Sequence, residues 1–168
     1  MPYRYVTERS DYSRFASGGV FYHLSGHPAF PVRLMSEVFQ RCMAFRRAKG
    51  CTGPCVLYDP CCGAAYHLST LAYLHWREIR AILCSDIDPT ALATAKSNLS
   101  LLTTEGMDRR CAEIAAMQSQ YGKESHAQAL AYAQSLQEEL LALQHSHSIT
   151  TRIFQADALQ PLLLAARL

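Results

Sequence analysis

Three aspartates, each at the end of a short apolar or β-branched run, are the residues of this sequence best placed to do chemistry. Asp59 closes the run 55–59, Asp86 closes the run 81–86, and Asp157 follows the run 149–154. Carboxylates accept hydrogen bonds from hydroxyl and amino groups and neutralise cations, so together they would bind a polar, positively charged ligand. Because a lone aspartate after a strand is more often a helix cap or a solvated loop residue, this interpretation requires that the three side chains meet.

The elements predicted around the aspartates indicate a parallel sheet. Apolar runs stopped by a turn are typical of buried parallel strands, and apolar residues at helical spacing separate them. Alternation of strands and helices with short connections predicts a doubly wound α/β sheet, whose strands share one carboxyl edge where ligands bind. The predicted elements are strands at 55–59, 81–86 and 149–154 and helices at 31–43, 66–77 and 90–102.

The segment 103–147 departs from this alternation. It is rich in alanine and glutamine, contains no proline and has Gly122 near its middle, which predicts two helices that meet at this glycine. Apolar residues from 129 to 143 form one helical stripe. A helical insertion that packs on the sheet or on itself is favoured over a dimerising coil.

The turn after the first strand, residues 59–65, is built largely of small residues that let a ligand approach the backbone. Asp86 stands at the end of the second strand, where an acidic side chain accepts hydrogen bonds from a ribose diol. A dinucleotide would need the G-x-G-x-x-G loop for its pyrophosphate, and Gly63 alone disfavours a nucleotide-binding dehydrogenase. S-adenosylmethionine has ribose and adenine but no phosphate: Asp59 would meet its positive charges, and Asp157 would accept from the adenine amino group.

The composition fits one globular domain and excludes a disordered chain. The 168 residues are 49% hydrophobic and 18% charged. No apolar run reaches eighteen residues and no signal peptide opens the sequence, so we expect a cytoplasmic protein without a membrane partner. The seven cysteines are expected to be reduced, and no metal is expected, because the cysteines at 51, 55, 61 and 62 lack the second half of a zinc site.

Positive charge is concentrated at the start of the chain. Residues 1–50 carry eight arginines or lysines against three acids, whereas the remaining 118 residues carry 8 basic and 11 acidic side chains. This distribution is compatible with a surface that faces a polyanion and equally with a solvated helix face. We divide the sequence into a basic, aromatic N-terminal arm (residues 1–30) and the N-terminal part of an S-adenosylmethionine-binding domain (31–168).

Four sequence blocks read YVTERSDY (5–12), GHPAFPVRL (26–34), YDPCCG (58–63) and SDIDP (85–89). Together they resemble the avilamycin-resistance type of 23S rRNA methyltransferase. The likeness spans most of residues 3–102 and resumes at 152–159. It implies a class I S-adenosylmethionine-dependent enzyme with a Rossmann-like fold that methylates a guanine of the large ribosomal RNA.

The resemblance also implies site residues. Asp59 with the loop that follows it would hold the methionine part, Asp86 the ribose, Ile87 one face of adenine, and Asp157 with Ala158 the adenine edge. The complete predicted cofactor set is Asp59, Pro60, Cys61, Cys62, Gly63, Ala64, Asp86, Ile87, Asp88, Asp157 and Ala158. The predicted contacts to 23S rRNA are Arg4, Arg9, Arg14 and Arg33. A solvated surface is the alternative for all four, and pairing with Glu8 and Asp11 is a further alternative for Arg4, Arg9 and Arg33.

Two features depart from the family pattern. Ala64 and Ala65 stand where class I methyltransferases often have a glycine, and an alanine in the left-handed region would be strained by about 1 kcal/mol or more. The fold normally has seven strands, with a loop of the Asp-Pro-Pro-Tyr kind after the fourth that holds the target base. No such motif follows the third predicted strand, so we expect an incomplete fold of three strands plus helices, truncated at its C-terminus.

Two functional hypotheses remain open. One is methylation of a guanine in 23S rRNA, of the antibiotic-resistance type, with catalysis by alignment of the reacting atoms and no side chain identified as catalytic. The alternative is a truncated, non-catalytic fragment that binds the cofactor or RNA. The open edge of an incomplete sheet also predicts self-association.

Overall fold

The predicted alternation of strands and helices is present in the computed structural model, which describes residue 7 and residues 10–160. The strands are β1 (Cys55–Asp59), β2 (Ile79–Asp86) and β3 (Thr150–Gln155). The helices are α1 (Val32–Ala48), α2 (Tyr66–Leu74), α3 (Pro89–Ser100), α4 (Thr104–Tyr121) and α5 (Glu124–Gln144). The predicted α/β class is therefore confirmed.

The three strands form one parallel sheet in the order β1-β2-β3. Asp59 pairs beside Cys84, and Asp86 pairs beside Gln155, so the carboxyl ends of the strands lie along the same edge. The central strand is buried over Ile82–Ser85 because it has neighbours on both sides, which explains its nearly continuous apolar sequence.

The boundary between α2 and β2 differs from the prediction. The helix ends at Leu74 rather than at residue 77, and a 3₁₀ turn, Trp76–Glu78, leads into the strand at Ile79. The Trp76 indole is buried and donates to the carbonyl of His147, 2.9 Å away. This contact is to a residue 71 positions along the chain, so the local helical pattern carried no sign of it.

The insertion consists of two helices that meet at Gly122, as predicted. The side chain of Thr103 caps α4 by accepting from the backbone of Gly106 at 3.1 Å, and Gly122 ends the helix in the left-handed conformation with φ +60°. The two helices pack against each other, and α5 buries the predicted stripe through Ala129, Ala133, Leu136 and Leu140.

The described part of the N-terminal arm is docked on the domain. Phe15, Val20 and Phe21 are fully buried, and the ring of Phe21 meets that of Tyr66 edge to face with centroids 5.7 Å apart. The run 20–22, which looks like a short strand in sequence, makes only an isolated bridge between Phe21 and Ser17. The arm is therefore held by side-chain packing rather than by the sheet.

His75 gives the fold a dependence on pH. Burial lowers the pKa of this histidine to about 4, and its ring lies 4.6 Å from that of Phe39, with Nε2 2.9 Å from the hydroxyl of Ser36. The folded-state pKa is below the ordinary value of 6.5, so the unfolded chain binds the proton first. The stability contributed by neutral His75 is present above pH 6.5 and is lost as the pH falls through about 4.

We therefore expect the wild-type chain to lose about 2 kcal/mol more stability between pH 7 and pH 4.5 than His75→Gln, after allowance for the ring's remaining contact with water. Denaturant unfolding at the two pH values measures the difference. His145→Gln, at an exposed position, is the matched control and should lose as much as the wild type. Equal losses in all three proteins would contradict the assignment.

Candidate cofactor-binding site

The loops after the three strands lie against one another at the carboxyl edge of the sheet. The backbone of Ala156 donates to the carbonyl of Asp86 at 3.1 Å, and the side chain of Gln155 donates to the carbonyl of Ile87 at 2.9 Å. The backbone of Cys62 donates to the carbonyl of Ser85 at 2.9 Å. The sheet thus brings the three loops that carry the predicted aspartates to one rim.

Asp59 is half-buried and already engaged by its own chain. Its Oδ1 accepts from the backbone of Cys61 at 2.9 Å, and its Oδ2 lies 2.6 Å from Nε2 of His67 in the first turn of α2. Burial opposes ionisation of this carboxyl, but the hydrogen bonds from His67 and Cys61 outweigh it and hold the pKa of Asp59 below its usual value. Asp59 is therefore an anion at neutral pH.

Asp86 ties the loop after β1 to the end of β2. Its Oδ2 accepts from the backbone of Gly63 at 2.8 Å, and its Oδ1 accepts from the backbone of Asp88 at 3.1 Å. An ionised carboxylate has about four lone-pair sites, so each oxygen keeps one acceptor position for a ligand. The carboxylate is half-buried, which leaves it reachable from the rim.

The β1–α2 loop (residues 60–65) contains two left-handed residues. Gly63 has φ +52° and Ala65 has φ +50°. The expected strain is therefore present at Ala65, whose side chain is fully buried, while Ala64 has an ordinary φ. An L-residue held in this region by its surroundings costs about 1 kcal/mol, and such strain is found where a loop is shaped for a ligand.

The remaining predicted cofactor residues divide into exposed and structural ones. Ile87 is an apolar side chain that stays 64% exposed at the rim, as an adenine face would require. Asp88 caps α3 by accepting from the backbone of Thr90 at 2.8 Å. Asp157 is half-buried, and its Oδ1 accepts from the backbone of Leu159 at 2.9 Å. Pro60, Cys61 and Ala158 are exposed, whereas Cys62 is buried.

The side chain of Cys62 points into the protein rather than toward the rim. A hydrogen bond with Cys84 raises the pKa of the Cys62 thiol, and burial raises it further, so the thiol stays protonated. The contribution of this residue to a ligand site is therefore its backbone.

A cleft of about 270 Å³ opens between the β1–α2 loop and the N-terminal arm. The arm supplies Tyr22, His27 and Phe30, and the other wall is formed by residues 61–64 with His67. Sequence reasoning did not place the arm in this position. The motif at 26–34, which supplies part of the cleft wall, is the sequence feature that could have indicated it.

Of the four predicted RNA-binding arginines, Arg14 and Arg33 lie in the described part of the chain. Arg4 and Arg9 lie outside the described residues. Arg14 forms an ion pair with Glu139 of α5 and lies over the ring of Phe15 at 4.8 Å. Arg33 is exposed in the first turn of α1. The side chain of Arg14 thus ties the arm to the helical insertion.

The described residues offer neither a metal cluster nor a membrane span. No three His, Cys, Asp or Glu side chains within residues 10–160 come together in a way that could hold a metal ion. All seven cysteines are free. No helix in this part of the chain combines the length and apolarity needed to cross a bilayer.

Comparison with known proteins gives one consistent result. The family described as rRNA methyltransferase AviRa matches residues 1–164. The 23S rRNA (guanine(2535)-N(1))-methyltransferase of Streptomyces viridochromogenes is 41% identical over 164 residues, which are 98% of this chain and 64% of the Streptomyces protein. The chain therefore spans slightly less than two thirds of the length of this relative.

Solved structures of rRNA methyltransferase aviRa from the same organism agree with the fold. One superposes with a TM-score of 0.85 at 41% identity, covering 95% of this chain and 62% of the other. A second superposes with a TM-score of 0.86 at 40% identity, covering 94% and 62%. Since the family match extends over nearly the whole sequence and the three-stranded sheet superposes on these structures, the chain belongs to the AviRa family of rRNA methyltransferases.

Proposed function

We propose that the chain binds S-adenosylmethionine along the carboxyl ends of β1, β2 and β3, as part of an enzyme that methylates a guanine of 23S rRNA. The observation that carries this proposal is the position of Asp86. It stands at the end of the central strand with acceptor sites left on both oxygens, beside the loops that carry Asp59 and Asp157.

The chemistry of the rim fits a cofactor with hydroxyl, amino and cationic groups. Its side-chain acceptors are carboxylates, which would repel a pyrophosphate but accept from a ribose diol and an amino group. The β1–α2 loop brings its backbone close through Gly63, yet it lacks the further glycines of a phosphate cradle. This donor and acceptor set supports S-adenosylmethionine over a dinucleotide.

The positions of the rim residues support the following proposed roles. Asp86 accepts from the ribose hydroxyls, Ile87 covers one face of adenine, and Asp157 with the backbone of Ala158 meets the adenine edge. Asp59 and the carbonyls of the β1–α2 loop face the cationic methionine part. The cofactor supplies an activated methyl group, and the contribution of this chain is to hold that group in place for an incoming nucleophile.

The substrate and biological setting rest on the likeness to the Streptomyces protein. That protein is named for methylation of a guanine in 23S rRNA, and this chain spans 64% of its length. We extend the same substrate, a cytoplasmic location and a role in antibiotic resistance to an enzyme that contains this chain. A fragment that only binds cofactor or RNA is the second candidate, favoured by the unpaired outer edge of β1 among the described strands.

Asp86→Ala tests the proposal. We expect calorimetry to detect binding of S-adenosylhomocysteine by the wild type and a loss of about 1.5–3 kcal/mol in the variant, because the ribose loses a charged acceptor. The 2′-deoxy form of the ligand separates this contact from the hydrogen bond to Gly63: the wild type should prefer the ribose form by about tenfold, and the variant should not.

Asp108→Ala on α4 is the matched control, since it removes a carboxylate away from the rim, and it should bind like the wild type. Equal affinity in Asp86→Ala and the wild type would exclude the ribose role. Absence of any binding by the wild type would exclude the cofactor site.

A further inference from the structure

Asn98, on the last turn of α3, is a fully buried polar side chain whose amide joins two separate segments. Its Oδ1 accepts from the backbone of Tyr22 at 2.8 Å, and its Nδ2 donates back to the carbonyl of Tyr22 at 3.0 Å. The same Nδ2 also donates to the carbonyl of Ala64 at 2.9 Å. Three of the four hydrogen bonds that an asparagine amide can make are therefore formed.

The two segments joined by Asn98 are the two walls of the 270 Å³ cleft. Tyr22 belongs to the N-terminal arm and Ala64 to the β1–α2 loop, and both line the cleft. Ala64 lies between the two left-handed residues of that loop, Gly63 and Ala65. Because Ala65 is an L-residue in the left-handed region, its conformation is held by its surroundings, and the loop needs a fixed partner to keep it.

Other contacts hold the arm to α4, away from the loop. Arg110 lies 4.1 Å from the centre of the Tyr22 ring and donates to the carbonyls of Val20 and Gly19, and the Tyr22 hydroxyl donates to Glu113 at 2.7 Å. These contacts fix the arm on the helical insertion, but none of them reaches the β1–α2 loop. The hydrogen bonds of Asn98 reach both sides of the cleft.

We propose that Asn98 is a positioning residue, which sets the spacing between the arm and the β1–α2 loop and thereby fixes the wall that receives the amino-acid part of the cofactor. The inference rests on the proposed function, which places the methionine part against this loop. The adenosine part lies farther along the rim, at Asp86, Ile87 and Asp157, which Asn98 does not contact. Because Asn98 contacts none of these three residues, we expect its effect to be largest at the amino-acid end of the ligand.

Asn98→Ala should weaken the binding of S-adenosylhomocysteine much more than the binding of methylthioadenosine, which has the same adenosine but no amino-acid part. We expect the dissociation constant for S-adenosylhomocysteine to rise about 10- to 100-fold, because the carbonyl of Ala64 and the backbone of Tyr22 lose their partner and the cleft loosens. The constant for methylthioadenosine should change by less than about threefold. Calorimetry on the 168-residue chain gives both values.

Two further variants keep the test independent of folding. Asn98→Ser retains a hydroxyl for one hydrogen bond and should show the same selective loss at smaller magnitude. Tyr73→Phe removes another buried hydrogen bond, from the Tyr73 hydroxyl to the carbonyl of Leu101 at 2.7 Å, while the ring keeps its packing against Phe15 and Phe21 of the arm. It should be destabilised in denaturant unfolding and yet bind both ligands as the wild type does.

The outcomes separate the two claims. A selective loss in the Asn98 variants supports the positioning role. An equal loss for both ligands, or no loss in a folded variant, overturns it while the proposed function stands. Failure of the wild type to bind S-adenosylhomocysteine overturns the proposed function and the positioning role with it.

Discussion

A chimera that joins residues 1–160 of this chain to the part of the Streptomyces enzyme that it does not cover is expected to methylate 23S rRNA, at least about 100-fold above the 168 residues alone. Among the described strands, β1 pairs on one side only, although parallel strands are normally enclosed. Residues 156–168 contain no Asp-Pro-Pro-Tyr motif of the kind that holds a target base. Transfer of labelled methyl groups to ribosomal RNA measures the difference.

The unpaired edge of β1 also predicts association of the 168-residue chain, because an open strand edge can pair with another chain. An exposed apolar surface on α1 would add to it. On α1, Leu34, Val38 and Phe45 are each about half exposed or more, and they form an apolar stripe on the side of the helix that faces away from the core. Sedimentation should show a concentration-dependent mass for the chain and a monomer for the chimera.

For the methylation experiment, a chimera that carries Asp86→Ala is the inactive control. Robust, stoichiometric methylation by the 168-residue chain would overturn the expectation.

Replacement of Arg4, Arg9, Arg14 and Arg33 by alanine is expected to weaken RNA binding by about 100-fold at moderate salt. Each lost phosphate contact makes the slope of log affinity against log salt less steep by about 0.7–0.9. The four substitutions together should therefore reduce the steepness of this slope by up to about three. Filter binding of a 23S rRNA fragment across a salt series measures both quantities. Because Arg14 is already paired with Glu139, its single substitution should contribute least.

The matched control removes four positive charges elsewhere: Arg77, Arg80, Lys96 and Lys123 are all replaced by alanine. None of these side chains lines a cavity near the arm, and all are exposed. This variant should keep most of the affinity and slope. Equal losses in the two quadruple variants would show that only net charge matters, and an unchanged arm variant would exclude RNA contact by these arginines.

The elements with strong local patterns could be predicted from the sequence, and those fixed by distant contacts could not. β1 matches its predicted residues because the run 55–59 lies between two prolines, Pro54 and Pro60, which mark its two ends. The meeting of α4 and α5 is marked by Gly122, whose φ of +60° suits glycine. The end of α2 is set by the bond between Trp76 and His147, and no local pattern encodes it.

The candidate site shows the same division. The aspartates at the rim could be predicted because parallel strands share a carboxyl edge. The contact between His67 and Asp59 follows from the conformation of the β1–α2 loop, which depends on a left-handed alanine that sequence rules disfavour. The docking of the arm and the role of Asn98 depend on partners 76 residues apart in the sequence, beyond the reach of periodicity or turn signals.

The docking of the arm also constrains how the protein folds as it is synthesised. The hydroxyl of Tyr66 donates to Phe15, Asn98 holds Tyr22, and Arg110 donates to Val20, so the partners of this early segment lie 51 to 90 residues later in the chain. At a translation rate of roughly 5–20 residues per second, about 5–20 s pass before Arg110 follows Val20 out of the ribosome. Until Tyr66, Asn98 and Arg110 have all emerged, the arm lacks part of its native surroundings. This segment therefore reaches its place long after it is made, and a chaperone can bind its apolar side chains in the interval.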